Sequence, residues 1–219
     1  MMPGMWMPMC GQTWLAAAGS FVGVWSVMMV AMMLPACVPM LWRYRAAVRG
    51  AGEARRALLT LLAGAGYFFV WLLVGVAVFP LGAALAALEM QAPALARAVP
   101  FAAAWVVVIA GALQFTAWKA QRLACCRAVP GCGRALPADA GSALRHGVRL
   151  GLRCGSCCGN LMLALLAVGV MDLWAMMAVT VAIAAERVAP VRGRGVMVRA
   201  IGVAAVGVGV AMLAQAMGV

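Results

Sequence analysis

Cys154-Gly155-Ser156-Cys157-Cys158, followed by Gly159, Asn160, Leu161 and Met162, is the strongest chemical pattern in the chain. Spacings of three and four residues put Cys154, Cys157 and Cys158 on one face of a helix, and Met162 continues that face one turn further. Thiolate and thioether sulfurs are soft ligands that select copper(I), zinc or iron–sulfur centres. The chain holds 18 Met and 8 Cys against one His, His146, and that balance favours copper(I), with zinc as the second candidate. A second sulfur series, Met28, Met29, Met32, Met33, Cys37 and Met40, follows Trp25, and Met29, Met33, Cys37 and Met40 run along one helical face. Cys125, Cys126 and Cys132 make a third group, and the tail from Met1 to Cys10 carries five Met besides its Cys. The candidate metal ligands are Cys154, Cys157, Cys158 and Met162, with Cys37 and Met33. The competing reading is packing, because Met fills irregular apolar cores and Cys behaves as a small hydrophobe.

Long apolar elements must position these sulfurs. Of 219 residues, 67% are hydrophobic and 10% charged, and the mean hydropathy is +1.04. That composition describes an all-α, polytopic membrane bundle, a single integral membrane domain over residues 1–219, and excludes a soluble enzyme, a disulfide-rich secreted domain and a disordered chain. A crossing needs about 20 apolar residues. Four runs meet this: Trp14 to Met40, Ala57 to Leu81, Val99 to Trp118 and Val196 to Met217. The first is expected to end near Pro35 and Pro39. No basic residue precedes Arg43, so it reads as a retained helix and not a cleaved signal. In the last, Gly202, Gly207 and Gly209 invite close helix packing. Gly82 to Ala98 is expected to be an outer loop.

The stretch from Leu152 to Glu186 is long for one crossing and short for two, and charge decides. The 17 basic residues fall as five from Arg43 to Arg56, one at Arg97, seven from Lys119 to Arg153 and four from Arg187 to Arg199. One crossing would put twelve on one side and five on the other; two crossings put sixteen together and leave Arg97 alone opposite. The positive-inside bias selects the second arrangement, with basic loops in the cytoplasm and both termini outside. Gly169-Val170-Met171-Asp172 supplies the break: a glycine to end one helix and Asp172 to cap the next. The expectation is therefore six membrane segments, the fourth and fifth forming a tight hairpin; five is the alternative. The net charge of +12 is a matter of topology and lipid contact, with no nucleic-acid motif to use it.

Between Asp139 and Arg153, Arg145, Arg149 and Arg153 recur beside a stripe of Leu144, Val148 and Leu152, which predicts a short amphipathic helix on the inner surface. Gln114, Lys119 and Asn160 are placed to hydrogen-bond between helices, with Lys119 expected to snorkel to the interface. Asp172 is expected to cap a helix, and Glu186 to lie at the inner boundary.

Taken in order, Trp25-Ser-Val-Met28-Met29-Val-Ala31-Met32-Met33-Leu-Pro35 with Pro39, Gly66-Tyr67 with Trp71, Gln114 with Lys119 and Cys126-Arg127, Cys154-x-x-Cys157-Cys158-x-x-Leu161-Met162, and Gly169-x-Met171-Asp172-x-Trp174-x-Met176 ending at Glu186-Arg187 form a recognisable series. It resembles an uncharacterised bacterial family of predicted metal-binding integral membrane proteins. The resemblance implies a multi-pass protein of the bacterial inner membrane that handles a metal. Joined to the soft-ligand balance, it gives a protein that binds copper(I) in transport, transfer or metalloenzyme assembly. Its partners would be the lipid bilayer and a metallochaperone or another membrane protein. The alternative is a membrane scaffold or partner subunit that holds no metal. No Ser/His/Asp set, phosphate loop or HExxH motif is present to suggest an enzyme.

Overall fold

The computed structural model describes residues 11–48, 52–127, 138–170, 172–188 and 193–218. Seven helices occur among them: α1 (Trp14–Ala47), α2 (Glu53–Gln91), α3 (Pro93–Ala112), α4 (Ala117–Arg127), α5 (Ala140–Val168), α6 (Leu173–Val188) and α7 (Arg194–Met217). A 3₁₀ turn, Leu113–Phe115, follows α3. Five stretches are long and apolar enough to cross a membrane: α1, α2, α3 with its 3₁₀ turn, α5 and most of α7. With 16 residues, α6 falls short of the roughly 20 of a full crossing. The Met1 to Cys10 tail and Cys132 lie outside the described residues.

Helix α1 shows how apolar these elements are on every side. Its buried positions, Phe21, Trp25, Met28, Met29, Met32, Met33, Ala36 and Cys37, recur at three and four residues, yet the outward positions are Val24, Val27, Val30, Leu34 and Val38. A helix apolar on every side needs an apolar surround. Pro35 and Pro39 lie inside α1 and do not end it. Each proline removes one backbone hydrogen bond, and a helix in apolar surroundings continues past that loss when its remaining backbone bonds are kept. The expected outer loop is also helical: α2 runs to Gln91, and a single extended residue, Ala92, precedes Pro93 at the first position of α3.

Contacts divide the chain into two compact units, Gly4–Leu81 with Cys125–Ser156 and Gly82–Ala124 with Cys157–Val219. In the first, α2 and the amino-terminal half of α5 meet through small residues. A Cβ on Gly147 would strike the backbone of Ala63, and one on Gly151 would come within 2.9 Å of the Tyr67 carbonyl oxygen. Trp25 donates its Nε1 hydrogen to the Trp71 carbonyl at 2.9 Å, fixing α1 on α2. Tyr44, Val48, Leu59, Ala63 and Ala143 close the core below.

In the second unit α3 and α7 pack along their length. Gly111 faces the backbone of Val206, Gly202 the ring of Phe115, and Gly209 the backbone of Val108. Of the three glycines expected to serve close packing, Gly202 and Gly209 do so and Gly207 faces open space. The chain breaks where Gly169 and Asp172 predicted. Gly169 takes φ 134°, a region open to glycine, and Asp172 Oδ1 accepts from Ala175 N–H at 2.9 Å to start α6.

Candidate metal centre and a buried ion pair

Cys154, Cys157, Cys158 and Met162 stand on one face of α5, all of them buried and the three thiols no more than 1% exposed. The separate surface helix expected up to Arg153 is the first half of this same helix. Arg145, Arg149 and Arg153 do stay exposed. Leu144 and Leu152 of the apolar stripe also point outward, and Ala143, Gly147, Leu150, Gly151 and Cys154 form the inner side. Close backbone approach at α2 requires small residues there, which a leucine stripe would block.

Met33 and Cys37 are fully buried on α1. Cys37, Cys126, Cys154, Cys157 and Cys158 are buried thiols and Cys125 an exposed one. Among the described residues no three His, Cys, Asp or Glu side chains converge as a ready-made metal cage. The sulfurs of α5 are instead a ladder along one helix face, continued by a thioether. His146 is stacked on Tyr44 with ring centroids 4.9 Å apart, in the first unit.

Two sulfurs on or beside the ladder have identified partners. Tyr67 donates its hydroxyl hydrogen to Cys154 Sγ at 3.0 Å, and Cys126 donates to the Arg153 carbonyl at 2.9 Å. Both contacts lie within the first unit. Soft sulfurs that are buried, and so protected from oxidation and from hard competing ligands, suit copper(I) as cargo.

A polar constellation in the second unit holds a charge pairing that the sequence did not disclose. Lys119, 0% exposed, does not snorkel. Its ammonium donates to Cys157 O at 2.8 Å and Asn160 Oδ1 at 3.2 Å, and pairs with Glu186 Oε2 at 2.9 Å. Glu186, 1% exposed, is buried within the chain, and its Oε1 accepts from Gln114 Nε2 at 2.8 Å. Asn160 Nδ2 donates to the Ala110 carbonyl at 3.0 Å. Thr116 starts α4 by accepting from the Lys119 backbone N–H through Oγ1 at 3.3 Å. Helices α3, α4, α5 and α6 are thus tied through four polar side chains, one of which holds the carbonyl of Cys157. The interhelical bonding of Gln114, Lys119 and Asn160 agrees with expectation. The available clue to the pair was Glu186, the one acid of α6.

No curated protein and no solved structure matches the chain. The sequence profile of the PpoB2 family, described as a copper chaperone, matches residues 22–212, from α1 through most of α7. That span takes in both sulfur faces and the ion pair, and the family's description supports a copper-related role: the chain belongs to the PpoB2 copper chaperone family.

Proposed function

We propose that the chain is an integral membrane copper chaperone that holds copper(I) on the α5 sulfur ladder and passes it to a metalloprotein or another membrane protein. The observation that carries this reading is the burial of Cys154, Cys157 and Cys158 on one helix face, with Met162 behind them, in a member of a copper chaperone family. Met33 and Cys37 on α1 are the second set of soft ligands in this scheme. Successive weak sulfur sites let an ion leave as well as enter, so exchange between thiolates and thioethers suffices without a catalysed reaction. Binding expels thiol protons to solvent and moves no electrons.

The membrane arrangement that goes with it is six crossings in a bacterial inner membrane, α6 being the short one, with the basic loops cytoplasmic and both termini outside. The division of sixteen basic residues from one supports it, as does the helix break at Gly169 to Asp172.

The test is copper stoichiometry, measured anaerobically under reducing conditions, for the Cys154→Ser, Cys157→Ser and Cys158→Ser triple variant against the parent. Loss of copper from an inserted, folded triple variant is the expected result, since serine is nearly isosteric with cysteine. Equal stoichiometry removes these thiols as ligands, and a parent that takes up no copper leaves the scaffold reading, with sulfurs as packing, in its place.

A further inference from the structure

The close crossing of α2 and α5 places one side chain with unusual care. Gly147 against Ala63 and Gly151 against the Tyr67 carbonyl bring the two backbones to contact distance. At that level the Tyr67 side chain is 0% exposed, its ring edge-on to Phe68 at 5.1 Å between centroids. Its hydroxyl has one hydrogen, and it is directed at Cys154 Sγ 3.0 Å away. A neutral thiol is a weak acceptor, whereas a sulfur carrying negative charge accepts a strong, charge-assisted hydrogen bond. A buried donor aimed at a sulfur is therefore better matched to the metal-bound thiolate than to the thiol.

We propose that Tyr67 is a positioning residue for copper exchange at Cys154: its hydroxyl fixes the sulfur and shares its lone pairs, so that the copper–sulfur bond forms in place and opens readily. The inference rests on the copper reading above and deepens it. When copper(I) binds, the Cys154 S–H bond breaks, its proton goes to solvent and the sulfur–copper bond takes its place. Tyr67 keeps its own proton throughout, and no electron is transferred. Hydrogen bonds from outer partners to ligand atoms orient a metal site and tune its electronics in just this manner.

The full chain in detergent, loaded anaerobically with copper(I), tests this with Tyr67→Phe, Cys154→Ser and the double variant. Two readouts are taken: the ultraviolet sulfur-to-copper charge-transfer band, and the rate of copper loss to excess chelator. Tyr67→Phe should keep the copper stoichiometry, move the band to lower energy as the sulfur lone pairs are released, and slow copper loss about fivefold, the equivalent of one ordinary hydrogen bond. In the Cys154→Ser background the same substitution should change neither readout. Gly151→Ala, which keeps the hydroxyl but forces the crossing apart, should move the band in the same direction. An unaltered band and rate in Tyr67→Phe overturn the proposal, and so does an equal shift with Cys154 absent, which would make the effect general packing. If the parent binds copper and Cys154→Ser retains all of it with an unchanged band, Tyr67 loses its role while the copper reading stands. If the parent binds none, both fall.

Discussion

Among the described residues Lys119 is the fully buried cation, and it makes a heavy demand on its neighbours. An ammonium with no exposed surface has lost its hydration and recovers it from one carboxylate, one amide oxygen and one backbone carbonyl. Such a pair adds little net stability over well-packed apolar residues, but removing one partner strands the other charge. Lys119→Met should therefore destabilise the protein by roughly 3–5 kcal/mol, read as a lowered unfolding midpoint in detergent. Adding Glu186→Met should recover most of that loss. A double variant no more stable than the single one would show that the polar contacts, and not the uncompensated charge, set the cost. Neither residue's pairing was legible in the sequence, because each sits beside a helix end where exposed charges ordinarily lie. Only the tertiary approach of α4, α5 and α6 turns two end charges into an interior pair. Cys154, Cys157 and Cys158 were legible, because their spacing is a property of one helix and survives whatever that helix packs against. The hydroxyl of Tyr67 was not, since its partner belongs to another helix.

At the scale of elements, the glycines of α5 divide by what they touch. Gly147 lies against the Ala63 backbone, which has no flexible end to move aside, whereas Gly155 faces open space. Gly147→Val should cost about 1–3 kcal/mol through forced separation of α2 and α5. Gly155→Ala should be neutral or stabilise by about 0.5–1 kcal/mol, since alanine is the better helix former. Unfolding midpoints for the two variants measure the contrast, and equal behaviour would remove the close crossing as a determinant of the fold. Boundaries followed the sequence where local chemistry sets them. Gly169 supplies a backbone angle open to glycine and Asp172 a capping oxygen, so the break between α5 and α6 could be read in advance. Pro35 and Pro39 misled because a proline costs a helix one backbone bond, and α1, packed on α2 along its buried face, keeps the rest. The helix before Cys154 is continuous with the one that carries the thiols, where the sequence reading had set it apart. Its arginine face was visible, but a seam of alanine and glycine is silent to any reading that looks for large apolar side chains.

At the scale of the molecule, composition already specified an all-helical chain of long apolar elements, and the charge pattern carries the proposal for how those elements alternate. The six-crossing arrangement makes α6 a full traverse and sends the carboxyl terminus outside. A reporter fused after Val219 should accordingly behave as external, and one inserted between Arg192 and Arg199 as cytoplasmic. External behaviour at the second position would restore five crossings.

The sixteen residues of α6 carry a further consequence. At 1.5 Å per residue the helix is about 24 Å long, against a hydrocarbon thickness of about 30 Å. Traversing with that deficit creates hydrophobic mismatch, which the lipid relieves by thinning locally or the chain by drawing its flanking arginines inward. Arg187, in the last turn of α6, stands where such an inward draw would occur. Near this helix the bilayer would therefore be a shallower barrier than elsewhere, and the Lys119–Glu186 pair would sit closer to an aqueous edge than its burial within the chain suggests.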